Sequence, residues 1–320
     1  MRRFTGVLLM AILMAGSVAV PAAGQTTAAA PPAGATFRGG IDLVTVSAVV
    51  RDRKGKIIKN LTREDFEVID NGIVRTIAEF RPDQAPLSVA VLLDGSGSMQ
   101  VAAKIDEARR AAAQLFAWLE PGRDELAIYS FDTGLYEMQP FATRRESVAD
   151  FHASLAGIEP FGMTSLHDAV AATARAVARR NNLHRAVIVL TDGVDNGSRL
   201  TPAEVSGIAS SIDVPVYVVA VVSPLDHQGT ASAVRSERPV PVGDLADLAR
   251  WTGGELYVSS GPAHTAVATR EIVDELRHQY LIAFEPGHAP GWHPLEVRAR
   301  KGNLIIRARS GYVAGRQAHD

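Results

Sequence analysis

"LSVAVLLDGSGSMQVAAK", Leu87 to Lys104, is the stretch on which the reading of the chain turns. A run that is apolar except for Ser88 ends at Asp94, two glycines and two serines follow, and an alanine-rich pattern with helical spacing resumes. Such a run fits a strand buried on both faces, and such strands belong to parallel sheets covered by helices. The polar corner admits three chemistries: a nucleophilic serine on a strand-to-helix turn, a glycine-rich phosphate cradle, or oxygen ligands for a hard cation.

Residues 86–261 repeat this alternation. "DELAIYSFD" and "LYEMQPF" are strands around Gly134, expected to form a hairpin with one antiparallel edge. "TSLHDAVAATARAVARR", "TPAEVSGIASSI" and "VGDLADLARWTGG" read as helices, spaced by the apolar strands "RAVIVLTDG" and "VPVYVVAVV". The pattern predicts a doubly wound α/β domain with a mostly parallel sheet. The flanks are different. "IDLVTVSAVVRD" alternates, and "FEVIDNGIVRTIAEF" places Asn71-Gly72 between strand-like runs, a strong hairpin signal. After the helix "TAVATREIVDELRHQ", the runs "QYLIAFEP", "HPLEVRARK" and "NLIIRARSGYV" read as strands, the last two joined across Lys301-Gly302. Neither β flank can bury a core alone. Residues 38–85 and 262–320 are therefore expected to combine into one small β-sandwich-like domain, with the α/β domain of residues 86–261 inserted between them.

The chain has 320 residues, 47% of them hydrophobic, enough for a sizeable core. Its net charge of -2 is spread along the sequence, so nucleic acid is not an expected partner. The opening "MRRFTGVLLMAILMAGSVAVPAAGQ" has a basic head, a short apolar body and small residues at Ala22 and Gly24, the order of a secretory signal cleaved after Gly24. Residues 25–37 are small and proline-bearing, a flexible leader. With no cysteine, disulfides and thiolate metal sites are excluded. No second apolar stretch is long enough to span a bilayer, so no transmembrane segment is expected in the mature protein. The expected location is a periplasm, a cell envelope or the exterior.

In a doubly wound sheet, functional groups gather outside the carboxyl ends of the strands. Asp94 closes one apolar strand, Asp192 in "VIVLTDG" closes another, and Thr164 in "FGMTSLHDAV" sits in a loop that starts a helix. With Ser96 and Ser98 they can converge from three loops as two carboxylates and three hydroxyls. An all-oxygen donor set suits Mg²⁺, Mn²⁺ or Ca²⁺ and not zinc.

These residues resemble the metal-ion-dependent adhesion site of von Willebrand factor type A domains. The resemblance rests on Asp94-Gly95-Ser96-Gly97-Ser98, on Thr164 in Gly162-Met163-Thr164-Ser165, and on Asp192 in Thr191-Asp192-Gly193, and it covers about Leu87 to Ser260. The flanks resemble those of exported bacterial VWFA-related proteins. The resemblance implies that the three hydroxyls bind a divalent cation directly, Mg²⁺ first among the candidates, and that the aspartates bind directly or through water. It implies one open coordination position for a partner's Asp or Glu. The expected function is thus an exported, metal-dependent protein-binding module for adhesion or assembly, and not an enzyme. A hydrolytic enzyme on the same loop edge, and an envelope component with a purely structural metal, are the alternatives.

Simpler roles exist for single residues. Ser96, Ser98 and Thr164 also suit helix capping, but capping leaves two strand-terminal aspartates unexplained. Asp195 reads as an acid that supports the ligands from behind or as a turn residue beside Asn196-Gly197, and Asp168 as a support for Thr164 or a surface acid. Neither serine of the corner has the glycine offsets of a hydrolase elbow, and no lysine follows as in a P-loop. The long irregular stretch from Ser223 to Gly243 leaves the same sheet edge, with Arg235 and Arg238 as candidate ligand-selecting contacts. If the leader is processed as read, N-terminal sequencing of the exported product finds Gln25 or a near neighbour. Recovery of Met1 on that product rejects the signal.

Overall fold

The structure, a computed structural model, describes residues 43–82, 84–143, 147–193, 195–223 and 243–314. The signal, the leader and the Arg235 and Arg238 loop lie outside the described residues. Strands β1 (Val44–Asp52), β2 (Phe66–Asp70), β3 (Ile73–Arg75) and β4 (Ile77–Arg81) precede the strand of the opening stretch, β5 (Leu87–Asp94). There follow α1 (Lys104–Trp118), β6 (Glu125–Phe131), β7 (Leu135–Ala142), α2 (Val148–Ser154), α3 (Leu166–Ala178), β8 (His184–Thr191), α4 (Pro202–Ser211), β9 (Val216–Val221), α5 (Gly243–Thr252), β10 (Leu256–Ser259) and α6 (Pro262–Arg277). The last strands are β11 (Tyr280–Phe284), β12 (Gly291–Ala299), β13 (Leu304–Arg307) and β14 (Gly311–Ala314).

β5 is buried at every position because it sits inside a sheet of order β10-β9-β8-β5-β6-β7. All pairs in it are parallel except β6 with β7, the expected antiparallel edge. Alternate β5 residues face opposite layers. Leu87, Val89, Val91 and Leu93 pack with Ala108, Ala112 and Leu115 of α1 and with Ile272 and Leu276 of α6. Ala90 and Leu92 pack with Val170 and Ala174 of α3, Val205 of α4 and Leu248 of α5. This is the doubly wound layering read from the sequence.

The flanking strands form two further antiparallel sheets, β13-β1-β11-β4 and β14-β12-β2-β3, each mixing strands from both ends of the chain. Their inner faces share Val46, Val50, Phe66, Val68, Ile282, Phe284 and Val297. Asn71 and Gly72 both adopt positive φ, 50° and 79°, as a two-residue hairpin requires. The run "NLIIRARSGYV" is not one strand but two. Across Lys301-Gly302 the chain passes from β12 to β13, which belong to different sheets, and β14 then returns to the side of β12. The break falls where Arg307, Arg309 and Ser310 reach outward to the α/β layer: Arg307 Nε donates to the Gly253 carbonyl at 3.1 Å and Ser310 N–H to that of Trp251 at 2.9 Å.

That docking centres on Glu275 of α6, whose side chain is fully buried. Arg51 of β1 donates to it through Nε at 3.0 Å and again through Nη2, and Arg307 of β13 donates to its other oxygen. Burial pushes the Glu275 carboxyl up, but Arg307 and then Arg51 outweigh it and hold it below the ordinary value. A depressed folded pKa stabilises the protein in full above the unfolded value and is lost as pH falls through the folded one. Glu275→Ala, which removes the carboxylate shared by two largely buried guanidinium groups, lowers unfolding free energy by about 3–5 kcal/mol in a denaturant titration at neutral pH. On acidification below the ordinary glutamate value of 4.5, the wild type loses stability faster than Glu275→Gln. Equal slopes would show that the carboxylate carries no charge there.

Candidate functional site

β5 and β8 end side by side, and the chain leaves them at Asp94 and Asp192. Asp94 is wholly buried. Its Oδ1 accepts the Ser96 N–H at 2.9 Å, and its Oδ2 accepts the Thr191 hydroxyl at 2.6 Å. Burial raises the Asp94 pKa; hydrogen bonds from Ser96 and Thr191 work against the rise, and the charge of Asp192 adds to it. The charge of Asp192 thus disfavours ionisation of Asp94, the situation that a cation between them relieves.

The hydroxyls do not cap helices. Ser96 precedes a short 3-10 segment, Gly97–Ala103, without a side-chain capping bond, and its Oγ lies 3.1 Å from the Oγ of Ser98. The residue before α3 is Ser165, not Thr164, and it also makes no side-chain capping bond. Thr164 is buried, and its loop is tied in on both sides. Gly97 N–H donates to the Gly162 carbonyl at 3.2 Å, and Phe161 N–H to that of Gly95 at 2.8 Å. Thr164 N–H donates to Asn196 Oδ1 at 2.8 Å, while Asn196 N–H and Gly197 N–H return to the Thr164 carbonyl at 3.0 and 2.9 Å. A Cβ on Gly197 would lie 2.7 Å from Ser165 Oγ and 3.3 Å from the Thr164 carbonyl, so a larger residue there would press on both. Contacts thus link Asp94, Ser96 and Ser98 to one another, electrostatics couples Asp94 to Asp192, and loop hydrogen bonds hold Thr164 alongside.

Asp195 and Asp168 prove to be loop fasteners. Asp195 accepts N–H groups of His167 at 2.9 Å and Ser198 at 3.1 Å and faces His167 Nδ1 at 3.0 Å. Asp168 accepts the Leu200 N–H at 2.9 Å and the Arg199 N–H at 3.1 Å, so its carboxylate serves that loop and not Thr164. Buried Nε2 of His167 has no hydrogen-bond partner. Three residues escaped the sequence reading: Thr191, Asn196 and Lys104. The first two adjoin recognised aspartates. Lys104 lies ten positions after Asp94 in the alanine-rich run, yet its Nζ donates to Asp192 Oδ2 at 2.8 Å.

Lys104 arrives there because α1 begins later than the alanine-rich run after Ser98 suggested. Val101 is extended, and Ala102 and Ala103 are both left-handed, at φ 54° and 55°. The loop before them is held down, with Gln100 Nε2 donating to the Pro160 carbonyl at 2.8 Å.

Among the described residues no group of three or more His, Cys, Asp or Glu could hold a metal ion. The candidate set has two carboxylates and three hydroxyls, so it must be judged on its own donors. Asp192 Oδ1 is buried without a hydrogen-bond partner. An acceptor orphaned in this way, beside a buried carboxylate and paired hydroxyls, fits a hard cation.

Residues 89–194 match the family model of the von Willebrand factor type A domain. No curated protein matches the chain. Among solved structures, the conserved hypothetical protein BatB from Bacteroides thetaiotaomicron is 19% identical, with 59% of this chain and 98% of that one covered and a TM-score of 0.47. A von Willebrand factor type A structure from Catenulispora acidiphila is 14% identical, covering 87% and 75%, with a TM-score of 0.49. Proximal thread matrix protein 1 from the mussel byssus, with a zinc-occupied MIDAS motif, is 16% identical over 66% and 50%, with a TM-score of 0.45.

A left-handed L-residue costs about 1–2 kcal/mol, of which glycine would recover part after its own entropy loss of about 0.5–1 kcal/mol. Ala103→Gly and Ala102→Gly should each raise stability by about 0.5–1 kcal/mol in denaturant melts. A loss of stability in both would mean the turn is not left-handed in solution.

Proposed function

We propose that the chain is an exported binding module in which Asp94, Ser96, Ser98, Thr164 and Asp192 hold a divalent cation, Mg²⁺ before Mn²⁺ or Ca²⁺, for an acidic residue of a protein partner. The buried, partnerless Asp192 Oδ1 is the observation that carries this reading. The family match over residues 89–194 supports it. When bound, the cation would supply a positive centre whose charge three neutral hydroxyls leave largely uncompensated, and so an attraction for an outside carboxylate. The chain's own residues supply the rest: Thr191 and the Ser96 N–H orient Asp94, and Asn196 fixes the Thr164 backbone.

The surroundings favour a protein partner. Phe161 is 79% exposed, Val101 63% and Met163 50%, and all three stand on the loops tied to the Asp94 corner. Large apolar side chains left in water around a polar centre are the composition of a protein-binding patch. Arg235 and Arg238 remain candidate contacts on the loop beyond β9. No helix among the described residues is long and apolar enough to cross a membrane. In this proposal the strands of residues 38–85 and 262–320 form the support domain, and residues 86–261 together with α6 the binding domain.

Calorimetric titration of Mg²⁺ or Mn²⁺ tests the site. Thr164→Ala, which removes one oxygen with little change in volume, should fold normally and bind metal roughly tenfold more weakly, the scale on which single residues around a metal act. Asp94→Ala should lose more, since it deletes an anionic donor. Equal metal affinity in the wild type and both variants rejects the assignment, and capture of the same envelope proteins with and without chelator rejects the metal-dependent partner.

A further inference from the structure

Lys104 is part of the candidate site although no motif points to it. Its ammonium donates to Asp192 Oδ2 at 2.8 Å, and the two side chains are only 17% and 5% exposed, so water and salt screen the contact little. The other oxygen, Oδ1, is buried and partnerless. One oxygen of Asp192 is thus held by a cation that belongs to the chain, while the other is open. The direction of Lys104 is set by Ala102 and Ala103, whose left-handed turn starts α1 at the lysine itself. The contact also has an electrostatic purpose within the fold. Asp94 and Asp192 follow neighbouring strands and are both shielded from water, and an ammonium beside Asp192 offsets part of their negative charge.

We infer that Lys104 is a tethered cation that occupies Asp192 in the metal-free protein and must be displaced before a divalent ion can bind. The inference rests on the metal reading above. An ammonium and a divalent ion repel strongly at contact distance in a poorly screened site, so they compete for the carboxylate. The lysine keeps the metal-free site from carrying two uncompensated buried carboxylates. It also raises the ion concentration at which the site fills, so that the chain's own residue sets the threshold for engaging a partner.

The test uses the full chain, with Mg²⁺ alone as the probe, in wild type, Lys104→Met and Lys104→Arg. Lys104→Met keeps the length of the side chain and removes its charge; it should bind Mg²⁺ roughly tenfold more tightly, one contact's worth of competition on the scale where 1.4 kcal/mol is tenfold. In chelator the same variant should melt at a lower temperature than wild type, and Lys104→Arg should stay near wild type in both measurements. Binding seen only in Lys104→Met would also support the inference, as full occupation by the lysine. Equal or weaker Mg²⁺ binding in Lys104→Met, or an unchanged melt in chelator, overturns it while leaving the metal site standing. If none of the three proteins binds Mg²⁺, the metal reading fails and this inference fails with it.

Discussion

A single buried carboxylate ties the two ends of the chain to its middle. Glu275 lies on α6, the last helix of the α/β layer, and is gripped by Arg51 from β1 and Arg307 from β13. Arg307 reaches Glu255 as well, and Arg309 extends the same contact line to the Ser210 and Thr45 carbonyls. Buried charges of this kind hold a fold only when every partner is present, because a lone guanidinium there has no water to turn to. The arrangement fixes where the sheet β13-β1-β11-β4 sits, since both arginines come from it and β1 pairs with β11 in its first half and with β13 in its second.

The clamp and the candidate site occupy opposite ends of the parallel sheet. Ser210, Asp213, Gly253 and Glu255 precede β9 and β10, and Glu275 lies in the last turns of α6, so the sandwich covers the amino ends of the strands. Asp94 and Asp192 follow the carboxyl ends of β5 and β8. The end away from the support is therefore left for loops. Those loops owe their order to one another, through the backbone exchange between Thr164 and Asn196-Gly197 and through Gly162 with Gly97.

Much of this was legible in the residues. The unbroken apolar runs 89–93 of β5 and 186–190 of β8 gave the parallel core, and Asn71-Gly72 gave a hairpin whose positive φ angles are now visible. The aspartates were found because they end strands, a position that periodicity marks. What escaped depends on contacts between distant segments. "NLIIRARSGYV" reads as one alternating strand, yet its arginines are drawn toward Glu275, Glu255 and the loop at Gly253, and the chain changes sheet there. Lys104 was hidden for a related reason: nothing in "QVAAK" signals two left-handed alanines, whose conformation is imposed by the loop around them. The capping reading of Ser96 failed for a different reason: its hydroxyl faces that of Ser98 within the same motif and makes no bond to the backbone N–H groups of the following turn.

The way the α/β layer joins the sandwich has a mechanical consequence. The chain enters the layer after β4 and leaves it into β11, and these two strands are antiparallel neighbours, with Arg81 opposite Leu281 and Phe80 opposite Ile282. Both crossings thus lie at the same end of one hydrogen-bonded pair. Tension applied at the far loops runs down the parallel strands and arrives on β4 and β11 together, pulling them in the same direction instead of peeling one from the other. It passes onward to β1 along the ladder from Val44 to Ala48, where the bonds are loaded in shear and must yield collectively.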